Sequence, residues 1–371
     1  MENSNVGKKK SKRIFYFDAL RCLAIIAVIC VHVFMPTRKY VLAGYGVIPT
    51  LNWFINDFFV ANRIGVDLFL MLAGALSLGR DWTIPDFLGK RIPRIVGPFL
   101  FWGLILSIGF ISLSFYYPKL FHMVTAFDIG SIVSYIGHAY LAECPGFGPY
   151  WFFWMILGTY LIMPIFNKWL ANSDLKEAEY FLAIWLITTI FDFTINQPFP
   201  VKLTYFVSPI GLVVLGYYLR YTERKIFKNL HVPALLLIVG IACSMSFSYF
   251  YSNSHHFVWF NRYSLFTVME VAGIFLLFRN ISELNLNVRF FSNPDGVFKK
   301  SVFSIAKYSY GMYLIHNFFI SIIYPTVKFY YPAIGYKLMV SCGFFGALLL
   351  SWGLMALLNR VPYLNQVIGA K

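Results

Sequence analysis

The sequence is poor in charged residues. Aspartate, glutamate, lysine and arginine make up 13% of its 371 residues, roughly half the ~25% of soluble domains. Hydrophobic residues make up 59%, against ~45–50% in such domains. These proportions exclude a soluble globular enzyme, a disordered chain and a repeat solenoid, and they leave a polytopic membrane protein.

Cysteine is also scarce. The composition, with five cysteines in 371 residues, excludes a disulfide scaffold. The cysteines show no C-x-x-C spacing, and most are expected to be inert thiols in apolar segments. The 40 phenylalanines make the chain too hydrophobic for the alternating, polar-lined strands of a β-barrel. The sequence therefore predicts an all-α fold, a polytopic transmembrane helical bundle.

Apolar segments of about 20 residues, the length that crosses a bilayer, occur about ten times. The second is expected to break near residues 62–65, and residues 125–142 are at best an amphipathic surface or re-entrant segment. The predicted spans are 14–36, 51–79, 95–116, 150–170, 178–197, 203–219, 230–251, 258–278, 304–325 and 336–358.

Positive charge is unevenly distributed. The 31 lysines and arginines exceed the 16 acidic residues, giving a net charge of +15, which in a soluble protein would suggest nucleic-acid binding. With ten alternating spans and the N-terminus inside, the inside segments carry 22 of these cations and the outside segments 6. This asymmetry follows the positive-inside rule and predicts cytoplasmic termini and no nucleic-acid partner.

Three parts are predicted along the chain. Residues 1–13 form a basic cytoplasmic segment, residues 14–358 the transmembrane domain, and residues 359–371 a cytoplasmic tail. We expect no attached soluble catalytic domain, so any chemistry is expected inside the bundle.

Ionisable residues are costly at membrane depth and mark candidate functional sites. Arg21 and His32 in the first span are eleven residues apart, which places them on one helix face about 16 Å apart. Asp18 lies near the same face. Because imidazole is the commonest general base, His32 is the candidate catalyst. The alternatives are a plain ion pair between Asp18 and Arg21, and a structural hydrogen bond for His32.

Two further groups of polar residues lie at helical spacing. Ser309, Tyr313 and His316 form a stripe on the ninth span, which could either act with His32 or only join helices by hydrogen bonds. Arg91 and Arg94 lie at the cytoplasmic entrance of the third span. Arginine forks match phosphate oxygens, which favours a phosphate clamp; ordinary positive-inside anchoring is the alternative.

Together these motifs resemble the acyltransferase-3 family of integral membrane acyltransferases, and within it the surface-polysaccharide O-acetyltransferases, such as the one acting on enterobacterial common antigen. The resemblance extends from about residue 16 to residue 316, and the ten predicted spans fit the family. The matching motifs are R/K-x10-H at Arg21 to His32, R-x-x-R at Arg91 to Arg94, the tryptophan-centred PYWFFWMILGTYLIMP at 149–164, and SYGMYLIH at Ser309 to His316.

One family position departs from the pattern. Ala73 stands in VDLFLMLAGAL, where the family usually has serine, so that serine cannot be essential here. Some members carry an extra secreted hydrolase-like domain that finishes the transfer; this sequence shows none, so it either acts alone or hands over to a separate protein.

The resemblance implies transfer of an acyl group, typically acetyl, from cytosolic acyl-CoA to a hydroxyl of an extracytoplasmic or lipid-linked carbohydrate. It implies a multi-pass protein of the bacterial plasma (inner) membrane, and no metal is expected. Glu143 and Trp151 are candidate acceptor-binding residues on the outer side. The candidate site comprises His32, Arg21 and His316 for catalysis, Arg91, Arg94 and Arg21 for acyl-CoA, and Glu143, Trp151 and Tyr313 for the acceptor.

Rival functions remain at this stage. A transporter or flippase for a lipid-linked glycan would also have buried charges and ten spans, but transporters often show internal repeats, and the first-span motif has no second copy in this sequence. A non-catalytic acyl-CoA sensor would tolerate the loss of His32.

Overall fold

The computed structural model describes residues 14–45, 50–195, 209–252, 263–283, 296–329 and 331–370. Within these ranges the regular structure is helical and no strand is present. The α-helices are α1 (Phe15–Tyr45), α2 (Thr50–Ala61), α3 (Ile64–Ser77), α4 (Ile84–Tyr116), α5 (Ile129–Tyr140), α6 (Trp151–Asn172), α7 (Leu175–Ile190), α8 (Ile210–Tyr221), α9 (His231–Ser252), α10 (Leu265–Glu283), α11 (Val297–Phe329), α12 (Tyr331–Leu358) and α13 (Leu364–Val367).

The structure is a polytopic helical membrane bundle, as the composition predicts. Eight helical segments in the described part of the chain are long and apolar enough to cross a bilayer. The helix at the sixth predicted span, α8, has only 12 residues, about 18 Å, and residues 203–208 of that span lie outside the described ranges, as do residues 258–262 of the eighth. The 33-residue α11 contains the ninth predicted span but is not among the eight. The count of ten spans therefore stays a prediction.

Helix α1 lies at the centre of the bundle. It packs against α2, α3, α10, α11 and α12, and Leu20, Ala24, Ile25, Ile29 and Val33 are fully buried. Because neighbours surround it, the polar residues that α1 carries face other helices.

Helices α3 and α8 approach each other at backbone contact. A Cβ atom added to Gly74 of α3 would collide with the carbonyl of Val213 in α8, and one added to Gly216 of α8 would collide with the carbonyl of Met71 in α3. Small residues allow such close approach, and close packing is a main source of helix association in membranes. This contact sets the position of α3, which forms one wall of the site described below.

The predicted break in the second span is confirmed. Helix α2 ends at Ala61 and α3 begins at Ile64. The Asn62 side chain donates a hydrogen bond to the Phe58 carbonyl at 2.6 Å, and Arg63 Nε donates to the Val60 carbonyl at 3.0 Å. The Phe58 carbonyl also accepts the Asn62 backbone N–H at 3.2 Å, and the Arg63 bond supplies a partner to a carbonyl of the last turn of α2, a position that helix ends otherwise leave without one.

The weakly amphipathic segment 125–142 contains the short helix α5. Asp128 is its N-cap, and its carboxylate accepts hydrogen bonds from the backbone and hydroxyl of Ser131 at 3.0 and 2.6 Å. These bonds favour the ionised carboxylate and lower the pKa of Asp128. The cap fixes where α5 begins.

The predicted C-terminal tail packs against the bundle. Helix α12 ends at Leu358, at the predicted boundary. The chain then turns back, and Ile368 and Ala370 are buried at 0% and 8% exposure. The indole nitrogen of Trp102 on α4 donates a hydrogen bond to the Ile368 carbonyl at 3.1 Å. We call Leu364–Ala370 the C-terminal segment.

The glycine contact predicts a position-specific loss of stability. Gly74→Val is expected to destabilise the bundle by at least the ~1–3 kcal/mol typical of overpacking, because the obstruction is backbone. The effect is measured by heating the protein in detergent and using size-exclusion chromatography to determine the fraction that stays folded at each temperature. Gly97→Ala in α4, where an added Cβ meets nothing within 4 Å, should behave like the parent. Equal stability of both variants would contradict the contact.

Candidate active site

The two histidines predicted from separate motifs are in contact. Nε2 of His316 lies 3.1 Å from Nδ1 of His32, and the two ring centroids are 5.0 Å apart. His316 is fully buried and His32 is half-buried. The structure thus brings α1 and α11 together at the residues that the sequence singled out.

The hydrogen-bond partners assign the proton on each ring. Nδ1 of His316 lies 2.7 Å from the Tyr313 carbonyl, and Nδ1 of His32 lies 2.9 Å from the Val28 carbonyl. A carbonyl oxygen only accepts, so both Nδ1 atoms carry protons. In neutral rings His316 Nε2 then accepts from His32 Nδ1–H, and the lone pair of His32 is on Nε2. The one N–H of His32 is thus shared between the Val28 carbonyl and His316 Nε2, and these two acceptors together favour the tautomer that has a basic Nε2.

Arg21 takes part in two interactions. Its guanidinium lies 3.5 Å from the carboxylate of Asp18, which is 3% exposed. The ion pair considered from the sequence is therefore present, but it is long. Arg21 also lines a cavity of about 300 Å³, so pairing with Asp18 does not remove it from the site.

The cavity is strongly basic at one end. Arg91 lies in its wall, where its guanidinium donates to the Ser77 hydroxyl of α3 at 2.8 Å. Opposing acidic residues are absent from the lining, which the structure describes in full. The cationic residues of the lining are Arg21, Arg91, Arg94 and Lys307. We call the end of the cavity formed by these four residues the basic end.

Lys307 was not among the candidates from the sequence, where it counted only toward the loop charge. The signal was available, since Lys307, Tyr310 and Tyr313 follow one another at steps of three residues on α11. All three line the cavity. The fourth cation could therefore have been found from the helix face alone.

Aromatic rings close the inner end of the cavity. Phe152 and Tyr313 both line it, with ring centroids 5.1 Å apart. The Tyr313 hydroxyl donates to the carbonyl of Pro149, and its ring lies 6.0 Å from that of His316. Because His316 is three residues beyond Tyr313, it lies about one helical turn, ~4.5 Å, deeper than the end of the cavity.

The segment that precedes α6 is bonded to α11 at residues next to His316. Asn317, next to His316, donates to the Gly146 carbonyl at 2.6 Å. Gly146 has φ +89°, and a Cβ there would lie 2.6 Å from the Phe110 ring, so the turn requires glycine. This segment is thus fixed to α11 on either side of His316, at Tyr313 and Asn317.

Two predicted acceptor residues lie away from the cavity. The Glu143 side chain is 57% exposed, with its carboxylate 3.8 Å from Nε2 of His138. Trp151 is half-buried at the start of α6. Neither lines the cavity, whereas Tyr313, the third candidate, does. The remaining stripe residue, Ser309, donates to the Ala306 carbonyl of its own helix at 2.9 Å and also lines the cavity.

A multi-helix membrane bundle with a buried histidine pair beside a basic cavity defines the class of this protein as an integral membrane enzyme. The chain belongs to the acyltransferase-3 family: the family's acyltransferase domain matches residues 14–356. It is therefore a membrane acyltransferase that transfers groups other than aminoacyl groups. Neither a curated protein nor a solved structure matches the chain.

The histidine pair predicts a selective loss of turnover. His316→Gln removes the ring nitrogen that orients the His32 imidazole together with the Val28 carbonyl, and His316 is not part of the cavity lining. We expect kcat to fall about tenfold to a hundredfold, the range known for partners that orient metal-bound histidines, with an unchanged KM for the donor. Steady-state kinetics measures this split. His231→Gln, at an exposed position, is the matched control; a raised donor KM with unchanged kcat would contradict the assignment.

Proposed function

We propose that this protein moves an acyl group, acetyl, from cytosolic acyl-CoA to a hydroxyl of an extracytoplasmic or lipid-linked carbohydrate. One observation carries the proposal: the His32–His316 pair adjoins Tyr313 at the inner end of a basic cavity, and the segment Glu143–Tyr150 is bonded to α11 next to the same pair. An enzyme that joins reactants from opposite faces of a membrane needs its base at such a junction.

The chemistry of the cavity supports a phosphate-bearing donor. Four cations without an opposing carboxylate in the lining favour a polyanion, and arginine forks bind phosphate through paired, charge-assisted hydrogen bonds. Ser77 orients the Arg91 guanidinium before a ligand binds. The volume of about 300 Å³ is at the small end of ligand pockets, which suits a narrow arm and not a whole nucleotide.

The apolar inner half of the cavity supports a thioester arm that reaches toward His32. Phe69 and Leu72 of α3 and Phe152 and Ile156 of α6 line this half. Along α11, Lys307 is nine residues before His316, or about 13 Å. A donor with its phosphates at the basic end would thus need an arm of roughly this length to bring its thioester to the histidine pair.

The segment before α6 supports acceptor binding on the opposite side. Its carbonyls at Gly146 and Pro149 are bound by α11 next to His316. Glu143 is exposed three residues before this anchor and could accept hydrogen bonds from sugar hydroxyls. Trp151 directly follows the segment, and its ring could stack on a sugar.

Nε2 of His32 is the reactive nitrogen in the proposed chemistry. As a general base it takes the proton of the acceptor hydroxyl while that oxygen attacks the thioester carbonyl. The C–S bond then breaks, the acyl–oxygen ester remains, and the CoA thiolate recovers the proton. As a nucleophile, the same nitrogen would first carry the acyl group as an acyl-imidazole. Both routes require the tautomer with its proton on Nδ1, which the Val28 carbonyl and His316 favour together.

Among members of the family, we propose the surface-polysaccharide O-acetyltransferase type, in the plasma (inner) membrane of a bacterium. The motifs at Arg21–His32 and Ser309–His316 support this assignment. Membership of an acyltransferase family decides against the transporter or flippase considered from the sequence.

The first test removes the proposed base. His32→Ala is expected to abolish acylation, because it removes the reactive Nε2, and His316 is fully buried and outside the cavity lining. The protein should still reach the membrane at the parental level. Mass spectrometry of surface glycans measures the acyl group lost. His231→Ala is the control for removing an imidazole. Parental acylation by well-folded His32→Ala protein would overturn the catalytic role.

The second test addresses the donor. Replacing Arg91 and Arg94 with glutamine is expected to raise the KM for acyl-CoA. Each charge-assisted contact is worth roughly 1.5–3 kcal/mol, so the loss of one contact raises KM about tenfold to a hundredfold. The KM for the acceptor should not change. Lys90→Gln with Lys176→Gln removes two positive charges outside the cavity lining and is the matched control. Equal CoA binding by parent and arginine variant would place the clamp elsewhere.

The third test addresses orientation. Both termini are expected to be cytoplasmic and residues 117–149 extracytoplasmic, because of the 22-to-6 distribution of cations. Single cysteines at Ser4, Lys119 and Lys176 in a cysteine-free background are probed with a membrane-impermeant thiol reagent. Only the Lys119 site should react in intact cells, and all three after permeabilisation. Reaction at Ser4 in intact cells would place the basic end outside and remove the donor route.

A further inference from the structure

We propose that the C-terminal segment, Leu364–Ala370, is a wall of the donor site that holds the arm of the donor, with Trp102 as the residue that fixes it in place. The inference rests on the proposed acyl-CoA donor and adds an element outside every motif of the family resemblance. Its basis is the position of Gly369, which lines the same cavity as Arg91 and Arg94.

The segment enters the bundle beside the cavity. Trp102 lies eight residues beyond Arg94 on α4, or about 12 Å farther from the basic end, and its indole N–H reaches the Ile368 carbonyl at 3.1 Å. Trp102 is 2% exposed and Ile368 fully buried. The segment therefore reaches well past the level of the arginines and lies next to the middle of the cavity.

Helix α11 has a surface that fits the segment. A Cβ atom at Gly311 would meet the end of the Met355 side chain at 2.1 Å and the Ile368 carbonyl oxygen at 2.6 Å. A Cβ atom at Gly369 would lie 3.1 Å from the Tyr310 ring. Gly369 has φ +84°, a conformation that favours glycine. Two glycines thus allow the segment to touch both α4 and α11, and the Gly369 backbone completes the cavity wall between them.

The position of the wall predicts which part of the donor it contacts. The arginines that suit phosphates lie at the basic end, and Tyr313 at the inner end adjoins the histidine pair. Gly369, against Tyr310, lies between these ends. A donor that spans the cavity would pass Gly369 with its arm and not with its phosphates.

The experiment distinguishes the contribution of the donor's arm to binding from that of its phosphates. Binding of coenzyme A and of adenosine 3′,5′-bisphosphate, which lacks the arm, is measured on the full-length protein in detergent. Trp102→Phe keeps an aromatic ring but loses the hydrogen bond to Ile368. Gly311→Ala places a methyl group against both the flexible Met355 side chain and the Ile368 carbonyl, and so displaces that carbonyl together with Met355. Both should weaken coenzyme A binding about two- to tenfold, the range for losing one neutral hydrogen bond, and leave bisphosphate binding unchanged. Arg91→Gln with Arg94→Gln should weaken both ligands.

A second readout reports the segment itself. In a background without the five native cysteines, Ala370→Cys should react slowly with a thiol reagent, since Ala370 is 8% exposed. Coenzyme A should slow it further and the bisphosphate should not, because ligand and segment stabilise each other reciprocally. Trp102→Phe should speed the reaction. Trp352→Phe, which loses an indole hydrogen bond to the Ser304 hydroxyl of α11, is the matched control in both assays.

The outcomes distinguish the two levels of the proposal. Failure of the parent to bind coenzyme A would overturn the proposed function. Trp102→Phe or Gly311→Ala could make the thiol introduced by Ala370→Cys react faster and still leave coenzyme A binding at the parental level. That result would overturn the proposal that the segment is a wall of the donor site. An unchanged rate for this thiol in both Trp102→Phe and Gly311→Ala would overturn the anchoring role of Trp102. Equal weakening of both ligands would also overturn the inference, because it would indicate a general loss of structure.

Discussion

The hydrogen bond between His32 and His316 joins residues that are 284 positions apart, and the rest of the site depends on it. Imidazoles within a bilayer must find partners inside the bundle, because water is not available to them. Here His316 directs its N–H at the Tyr313 carbonyl, while the N–H of His32 is shared between the Val28 carbonyl and His316, so that the two rings join α1 and α11. Arg21 and Lys307 of the cavity lining lie on these two helices, and the segment before α6 is bonded to α11.

Much of the arrangement could be predicted because it is periodic. The eleven-residue spacing of Arg21 and His32 is a property of one helix, and the structure keeps both residues on the side of α1 that meets the site. The break after Ala61 was likewise visible in the local sequence. The locations of most helices followed from runs of apolar residues, because the bilayer imposes one length on every span.

Other features depend on contacts between distant parts of the chain. Nothing in the stripe Ser309, Tyr313 and His316 shows that its members have different partners, namely the Ala306 carbonyl, the Pro149 carbonyl and the His32 ring. The C-terminal segment was interpreted as a tail because it is short and follows the last apolar run. Its burial depends on the fit to Trp102 and Gly311, which no local pattern encodes. The short α8 has nine buried residues among its 12 because α3 and its neighbours cover it.

The glycine contact between α3 and α8 has a mechanical consequence. Helices α3 and α8 touch at Gly74 and Gly216 and cannot slide along each other without collision, so they move as one rigid pair. Ser77, at the end of α3, holds the Arg91 guanidinium, while α1, which carries His32, packs against α3. The distance between the Arg91 guanidinium and the His32 imidazole is therefore fixed by the rigid pair of helices α3 and α8. Bending this side of the bundle cannot accommodate reactants of a different length.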